Sequence, residues 1–406
     1  MKSSVQKYID ENFPKTVRYN TTDDGTLIGL PFKYTVPCAS GMFQEIYYWD
    51  TYFTNVGLLV LGNTELAKNN TDNMLYLVNK YGFMPNGNRT GYLDRSQPPF
   101  LSFMVKDVFA ATSDLEWLES AYNTLKIEYD FWQTKKILEN GLNAYTNYKI
   151  DYDDLDFQVS YAQTRMGYRP AELTPQIKEQ IYQAIKSFCE SGWDCNSRFM
   201  EKPHEFSAID LNCLLYGMEN NMLFFSELLK NGEECIWQQR VSARKEKMQT
   251  LWCEEKGIFT DYNPSTNEYS NYVSAASLYP MFVGLATKEQ AAKTVKQLKK
   301  LEFEYGVSAG EANPPWDCCQ WDYPHIWPPM QFIAYKALAG YGYIEDAERI
   351  AKKYVRLIEE NFEKTGNLWE KYDCITGATP NTDYDAPKML GWTFGVYTYF
   401  CNELNI

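Results

Sequence analysis

Apolar residues recur at helical spacing along most of the 406-residue chain, and this periodicity limits the folds that the chain can adopt. The periodic segments are 64–81, 97–111, 114–137, 174–191, 205–229, 235–256, 272–286, 288–303, 328–341, 345–365 and 390–404. Several of them end at a residue that commonly stops a helix, namely Gly82, Gly257, Gly342 and Gly366. Strand-like alternation is scarce, and no Pro/Gly/Ser-rich linker divides the chain. We therefore predict one all-α domain of many helices, built from hairpins that close into a ring or stack as a solenoid.

The acidic balance of the chain narrows its possible partners. Against 39 Lys and Arg stand 53 Asp and Glu, and the resulting net charge of -14 repels nucleic-acid phosphates and anionic lipids. We therefore expect a neutral or cationic ligand, no nucleic acid and no membrane. The chain also contains 11 Trp, 32 Tyr and 22 Phe, and so many rings suit a cavity whose walls stack on flat apolar faces such as those of sugars.

The N-terminal stretch and the spacing of the cysteines indicate which cellular compartment to expect. The stretch MKSSVQKYIDENF carries a charge every few residues, where a signal peptide needs an apolar run. Ten Cys are scattered singly apart from Cys318-Cys319, which is not the spacing of a disulfide framework. We therefore expect a cytoplasmic protein with reduced thiols. With His204 and His325 as its two histidines and no CxxC pair, the sequence implies no metal, and it implies no organic cofactor.

Acids, amides and aromatic residues concentrate in six predicted loops rather than in the helices. These loops are 37–53, 82–99, 169–172, 188–199, 318–332 and 369–392. Each loop alone would also fit a surface turn or a helix cap. Convergence on one pocket explains all six together more simply, because binding and catalytic side chains are commonly carried on loops.

Several motifs in these loops resemble the trehalase family of glycoside hydrolases. They are PCASGMFQEIYYWDTYF at 37–53, PNGNR followed by RSQPP within 85–99, ESGWD-x-x-SRF at 190–199, DLN at 210–212 and QWDYPHIWPP at 320–329. The resemblance runs in order along nearly the whole chain. It implies an inverting hydrolase of family 37, or of the related family 63 α-glucosidases, on an (α/α)6 toroid. Residues 37–406 would then form the catalytic toroid, and residues 1–36 an N-terminal segment packed on it.

The resemblance assigns the reaction to two carboxyl groups. Asp194 falls where the family has its general acid, which must hold a proton near neutral pH. An aromatic wall raises the pKa of such an acid, and Trp193 is placed either to supply part of that wall or to point away from it. The family's base is a Glu in a Gly-rich loop ahead of a GW element, and Asp383 occupies the corresponding place. Asp385 and Glu370 are the second and third candidates for the base.

Substrate contacts carry over from the family in the same way. The candidates are Phe43, Trp49, Asp50, Asn86, Arg95, Gln97, Arg169, Glu172, Trp193, Trp321 and Asp322. Two departures lie near them: Met42 stands where trehalases usually have an Arg, and GATPNT at 377–382 replaces a run of glycines. Both changes lie around substrate contacts, so the sequence favours α-glycoside hydrolysis more strongly than it favours trehalose itself.

The sequence therefore predicts an inverting α-glycosidase that releases glucose from trehalose or another short α-glucoside. A related α-glucosidase, or a hydrolase of glucosyl- or mannosylglycerate, is the nearest alternative. A sugar-binding homologue that kept the pocket and lost the base is a second, because Asp383 stands where the family has Glu. A sugar isomerase or epimerase on the same toroid is a third, with His325 as its proton shuttle.

Overall fold

The computed structural model of the chain describes residues 3–165, 170–199, 202–316, 319–380 and 388–406. Its α-helices are α1 (Ser4–Asn12), α2 (Tyr48–Val60), α3 (Thr64–Tyr81), α4 (Leu101–Thr112), α5 (Leu115–Lys135), α6 (Leu155–Arg165), α7 (Pro175–Ser191), α8 (Ile209–Leu229), α9 (Glu234–Met248), α10 (Tyr279–Phe282), α11 (Lys288–Gln297), α12 (Pro328–Gly340), α13 (Ile344–Thr365) and α14 (Gly391–Glu403). The strands form two-residue antiparallel pairs: β1 (Val17–Arg18) with β2 (Tyr34–Thr35), β3 (Trp252–Cys253) with β4 (Ile258–Phe259), β5 (Tyr262–Asn263) with β6 (Glu268–Tyr269), β7 (Glu302–Phe303) with β8 (Gly306–Val307), and β9 (His325–Ile326) with β10 (Tyr372–Asp373). The described chain is therefore mostly helical, as the periodicity predicts.

Six helices form a closed inner ring. In order around it they are α2, α4, α8, α10, α12 and α14; each packs against the next, and α14 returns to α2. These helices are buried on most sides, and α8 is buried at every position from Ile209 to Glu219. They lie between the outer helices and the middle of the ring, so they lack the polar face of a surface helix. The (α/α)6 toroid expected from the resemblance is confirmed.

The outer helices have one buried face and one charged face. In α13, for example, Ala347, Ile350 and Tyr354 are buried toward α12 and α14, while charged residues cover the opposite face. Likewise α3 packs against α2 and α4, α5 against α4 and α8, and α9 against α8. Helices α6 and α7 follow α5 in the chain and pack on each other before the chain re-enters the ring at α8.

The ring closes where α2 crosses α14 at two glycines. A Cβ atom on Gly57 would lie 2.6 Å from the Cα atom of Gly395, and a Cβ atom on Gly395 would overlap the carbonyl oxygen of Phe53. The two backbones therefore approach more closely than any larger side chain would allow.

The periodicity does not predict α1, α2 and α6. Helix α2 was expected to belong to the loop 37–53, but it begins at Tyr48, so Trp49 and Asp50 lie in its first turn. Its residues from Tyr48 to Leu58 are buried except for the half-buried Asp50, and the acids and aromatic residues of its first turns were assigned to that loop.

Two predicted helices run past their true ends. The α-helical part of the segment 235–256 stops at the end of α9 and that of the segment 288–303 at the end of α11, and each is followed by one short 3-10 helix. In each case the chain continues into a hairpin, β3–β4 or β7–β8, whose apolar residues extended the periodic pattern. Gly257, expected to end a helix, lies in the turn of the first hairpin with φ of 64°.

Residues before α2 share the core of the ring. The ring of Phe13 lies 4.5 Å from that of Phe394 on α14, and the hydroxyl of Tyr8 donates to Asn367 Oδ1 over 2.7 Å. Val5 and Ile9 of α1 are fully buried. In the ranges that the structure describes, no helix combines the length and the apolar character needed to cross a membrane.

Candidate active site

A cavity of about 250 Å³ lies where the inner helices α2, α4, α12 and α14 begin. It is lined by Pro37, Met42, Phe43, Tyr47, Trp49, Asp50, Asn86, Tyr92, Arg95, Gln97, Tyr161, Cys189, Gly192, Asp194, Gln320, Trp321, Trp327, Glu370, Leu390 and Trp392. Apart from Tyr161 of α6, these residues come from five of the six loops in which acids and aromatic residues concentrate. The loops 37–53, 82–99, 188–199, 318–332 and 369–392 therefore converge on one site.

Among the described residues, three carboxyl groups line this cavity, those of Asp50, Asp194 and Glu370. Burial raises the pKa of Asp50 to about 8, and the negative charges of Glu370 and then of Asp194 add to the increase. Asp50 therefore holds a proton at neutral pH and can donate a hydrogen bond to a ligand hydroxyl. Glu370 and Asp194 both lie within electrostatic range of Asp50.

The turn after α7 brings Asp194 to the cavity. Helix α7 begins with Thr174 as its N-cap, as the sequence predicts, and ends at Gly192 in a left-handed conformation with φ of 73°. A Cβ atom at Gly192 would lie 2.7 Å from the indole of Trp49, which itself lines the cavity. Glycine is therefore required at this turn for its backbone conformation and for the close approach of Trp49.

Trp193 lies behind the cavity wall and does not line it. Its side chain is fully buried between Trp321, whose ring centroid is 5.2 Å away, and the guanidinium of Arg198 at 4.5 Å. Arg198 is itself fully buried and donates to both carboxylates of Asp210 and Asp261 over 2.8–3.1 Å. The turn that carries Asp194 is thus anchored by a buried cation that two carboxylates neutralise.

Asp322 ties the loop of Trp321 to the loop of Asp194. Its carboxylate accepts from the backbone N–H of Ser197 over 3.0 Å and from the Ser197 hydroxyl over 2.5 Å. The backbone N–H of Trp321 donates to the carbonyl of Cys195 over 2.9 Å. Asp322 is fully buried, which raises its pKa to about 7, and it does not line the cavity.

Four tryptophans form an aromatic wall. The rings of Trp321 and Trp327 are stacked 3.8 Å apart and 3° from parallel, while Trp392 meets both at nearly a right angle. Trp49 lies 5.3 Å from Trp321 on another side. The indole N–H of Trp392 donates to the carbonyl of Glu370 over 3.0 Å, so the wall also fixes the backbone that carries that carboxyl group.

The loop 82–99 contributes Asn86, Arg95 and Gln97. Backbone bonds hold it in place: the N–H of Asn86 donates to the carbonyl of Arg95, and the N–H of Trp49 donates to Gln97 Oε1. Arg95 presents its guanidinium over the ring of Tyr92 at 5.2 Å. These side chains can address sugar hydroxyls through amide and guanidinium donors.

A buried ion pair between Glu190 and Lys136 supports the loop 82–99. Glu190 of α7 accepts from the backbone N–H of Ser96 over 2.8 Å and lies 2.9 Å from the ammonium of Lys136. Both charged side chains are almost completely buried. The loop that carries Gln97 and the helix that leads to Asp194 are therefore locked together four residues before the acid.

Of the remaining predicted residues, the structure describes Glu172. Glu172 is exposed and does not line the cavity. Arg169, Asp383 and Asp385 lie outside the described residues. Among the described residues, no group of three or more His, Cys, Asp or Glu side chains is arranged to hold a metal ion.

Several lining residues were absent from the predicted set, namely Tyr47, Tyr92, Tyr161, Gln320, Trp327 and Trp392. Trp327 and Trp392 belong to the motifs QWDYPHIWPP and GW, which could have indicated them. Tyr161 lies in α6, where no motif marks it.

Comparisons with known proteins agree with this geometry. The family model described as Trehalase matches residues 2–405. A periplasmic trehalase from Xanthomonas axonopodis pv. citri is 33% identical over 98% of this chain and 73% of its own length. The neutral trehalase of Saccharomyces cerevisiae has a TM-score of 0.79 at 29% identity, covering 96% of this chain and 76% of the yeast chain. A family 63 mannosylglycerate hydrolase from Thermus thermophilus has a TM-score of 0.69 at 14% identity, covering 97% of this chain and 99% of that one, and it shares the fold.

These comparisons also correct the expected compartment. The Xanthomonas relative and other bacterial relatives are named periplasmic trehalases, so the expectation of a cytoplasmic protein is wrong. Charged residues near the start of the sequence did not indicate the compartment. The extent of the family match and the identity to these enzymes establish that the chain belongs to the trehalase family and is a glycoside hydrolase.

Proposed function

We propose that the chain hydrolyses trehalose with inversion at the anomeric carbon, with Asp194 as the general acid and Asp383 as the base that activates water. The observation that carries this proposal is that Asp194 lines one cavity together with Trp49, Trp321 and Trp392. Asp383 is the first candidate for the base because it occupies the place of the family's base ahead of the GW element, and it lies outside the described residues. Asp385 is the second candidate, and Glu370, which borders the cavity, is the third.

The reaction requires a proton at one carboxyl group and a charge at the other. The carboxylic acid of Asp194 donates its proton to the glycosidic oxygen as the bond to the anomeric carbon breaks. Water attacks that carbon from the opposite face and gives its proton to the carboxylate that acts as the base. An inverting pair stands roughly 6.5–9.5 Å apart to leave room for this water.

The rest of the cavity suits a short sugar substrate. Its volume of about 250 Å³ lies just below the usual range of small-molecule sites, roughly 300–1,000 Å³. Trp321 and Trp392 contribute apolar ring surface to its wall, while Arg95 and the protonated Asp50 supply donors for hydroxyl groups. A binding protein without a base is less favoured, since Glu370 provides a carboxyl group in the cavity.

Product analysis by proton NMR tests this proposal. Trehalose cleaved with inversion should give one β-glucose from the attacked ring and one α-glucose from the departing ring. Asp194→Asn and Asp383→Asn should each lower kcat about 100- to 10,000-fold while the fold is retained. Asp385→Asn and Glu370→Gln test the other two candidates for the base. Glu119→Gln, on the exposed face of α5, serves as the control and should match the parent. Two α-glucose products, or full activity in Asp383→Asn, would refute the assignment, and a panel of other α-glucosides would reveal a different substrate.

A further inference from the structure

We propose that Cys195 and Cys319 are the site of a disulfide bond that ties the turn of Asp194 to the loop of Trp321. The sequence-based expectation of reduced thiols rested in part on the spacing of the cysteines along the chain. These two cysteines lie 124 residues apart in the sequence, and it is the fold that brings them together. The bond itself is independent of the proposed function, whereas its importance for activity rests on the proposed role of Asp194 as the general acid.

The two sulfur atoms are in contact in the folded chain. The Sγ atoms of Cys195 and Cys319 lie 2.6 Å apart, and a disulfide bond is about 2.05 Å long. Both residues are buried, with 2% and 3% of their surfaces exposed. A small movement of the two side chains therefore suffices to join the sulfur atoms without opening the protein interior.

Backbone and side-chain bonds hold the two loops together at the same place. The backbone N–H of Trp321 donates to the carbonyl of Cys195 over 2.9 Å. Asp322 accepts from the backbone N–H and the hydroxyl of Ser197. Each of these bonds joins a residue close to Cys319 in sequence to Cys195 or to a residue close to it. A disulfide bond here adds a covalent link to an existing junction and does not force the loops into a new arrangement.

The junction lies next to the cavity. Asp194 precedes Cys195 and lines the cavity, as do Gln320 and Trp321, which follow Cys319. Neither Cys195 nor Cys319 lines the cavity, so the bond leaves the space for a substrate unchanged. The bond therefore protects the arrangement of the acid and the aromatic wall against separation of the two loops on heating.

The bond forms by exchange with a small disulfide such as oxidised glutathione. The thiolate of one cysteine attacks a glutathione sulfur atom, which gives a mixed disulfide and releases one glutathione. The thiolate of the second cysteine then attacks the protein sulfur atom of the mixed disulfide, and the second glutathione leaves. Both cysteine sulfur atoms are oxidised, the glutathione disulfide is reduced to two thiols, and the two cysteine protons end on these thiols. Because burial excludes glutathione from the folded junction, we expect the bond to form before the loops close.

Mass spectrometry of the full chain, produced in bacterial cells with an oxidising cytoplasm, detects the bond directly. Thiols are blocked with iodoacetamide in denaturant, and trypsin is combined with a protease that cleaves after glutamate, so cleavage at Glu190 separates Cys189 from Cys195. We expect the Cys195 peptide to be linked to the peptide that contains Cys319. This link should persist in Cys318→Ala and be lost in Cys319→Ala. Alkylated thiols at both positions, or a link from Cys195 to Cys318 or Cys189, would overturn the inference.

Heat inactivation measures what the bond does for the site. The protein from the oxidising cells is compared with protein from ordinary cells, whose cytoplasm is reducing. We expect the activity toward trehalose to survive heating with a half-life about 10-fold longer in the oxidised protein. The two preparations of Cys195→Ala should not differ from each other. Cys213→Ala removes another buried thiol, on α8, and as the matched control it should keep the difference between the preparations.

The possible failures give different results. Equal half-lives of the two parent preparations would refute the role of the bond at the site. A chain that does not cleave trehalose would refute the proposed function, while the linked peptide would still be found. If an alanine variant does not fold, the two parent preparations still decide both questions, since they differ in the bond and not in sequence.

Discussion

At the scale of single residues, the turn Ser191-Gly192-Trp193-Asp194 places two neighbouring side chains in different environments. Gly192 turns the chain in a conformation that other residues rarely adopt, and Trp49 fills the space next to it. Trp193 then enters the protein interior, and Asp194 reaches the cavity. The indole beside the acid in sequence is therefore a support for the turn, while other tryptophans form the wall that faces the ligand.

Asp50 is the residue whose ionisation should weaken the fold as the pH rises. Its pKa is about 8 in the folded protein, whereas an Asp in an unfolded chain titrates near 3.9. Between these values the folded state binds a proton that the unfolded state has lost, so the stability that this group contributes falls from about pH 4 to pH 8. We expect Asp50→Asn, which cannot ionise, to match the parent at pH 4 and to become increasingly more stable than the parent toward pH 8.

Urea unfolding at a series of pH values measures this difference. Glu119→Gln provides the control, because this exposed residue should show no such trend. A constant offset between Asp50→Asn and the parent at every pH would mean that Asp50 does not hold its proton in the folded protein.

At the scale of structural elements, Arg198 joins the turn of Asp194 to the start of α8. Its guanidinium binds Asp210 in the first turn of that helix and also Asp261 just after β4, and all three side chains are buried. Arg198→Met would leave two buried carboxylates without their cation, so we expect a loss of about 3–5 kcal/mol in unfolding free energy at neutral pH. The loss should shrink at acidic pH, where the carboxylates can take up protons.

The matched comparison for this change is Arg240→Met. Arg240 also stacks on a tryptophan, with its guanidinium 4.4 Å from Trp237, but it is only half-buried on α9. Its replacement should cost less than about 1 kcal/mol, since surface substitutions rarely cost more. Equal losses in both variants, measured by urea unfolding, would attribute the effect to lost ring stacking rather than to the two carboxylates.

At the scale of the whole molecule, periodicity predicted outer helices that have one exposed face and also the enclosed helices α4, α8, α12 and α14. Helix α13 matches its predicted segment because its buried and charged faces alternate clearly, and the predicted N-cap Thr174 accepts from the backbone N–H of Ile177. Helix α2 was missed because the acids and aromatic residues of its first turns were assigned to the loop 37–53.

The sequence predicts which loops form the site, but it does not predict which side chains of those loops face the cavity. Motif resemblance brought together Trp49, Asp194 and Trp321, which the structure places around one cavity. It did not separate them from Asp322, which lies behind the wall and binds Ser197. Contacts such as that of Ser96 with Glu190, 94 residues apart, decide which way each loop faces, and no local pattern encodes them.

Closure of the ring depends on the contact between its first and last inner helices, and Gly395→Ala tests that dependence. The new methyl group would overlap the carbonyl oxygen of Phe53 on α2, and backbone atoms on both sides of the contact leave it no flexible side chain to displace. Overpacking usually costs about 1–3 kcal/mol, and we expect at least the upper value here, together with reduced activity, because α2 carries Asp50 and α14 follows Leu390 at the cavity. Gly340→Ala is the matched control: it ends α12 with open space around its Cβ position and should be neutral or slightly stabilising. Thermal and urea unfolding of both variants measure the difference, and a Gly395→Ala protein as stable as Gly340→Ala would show that α2 and α14 can separate without loss of the toroid.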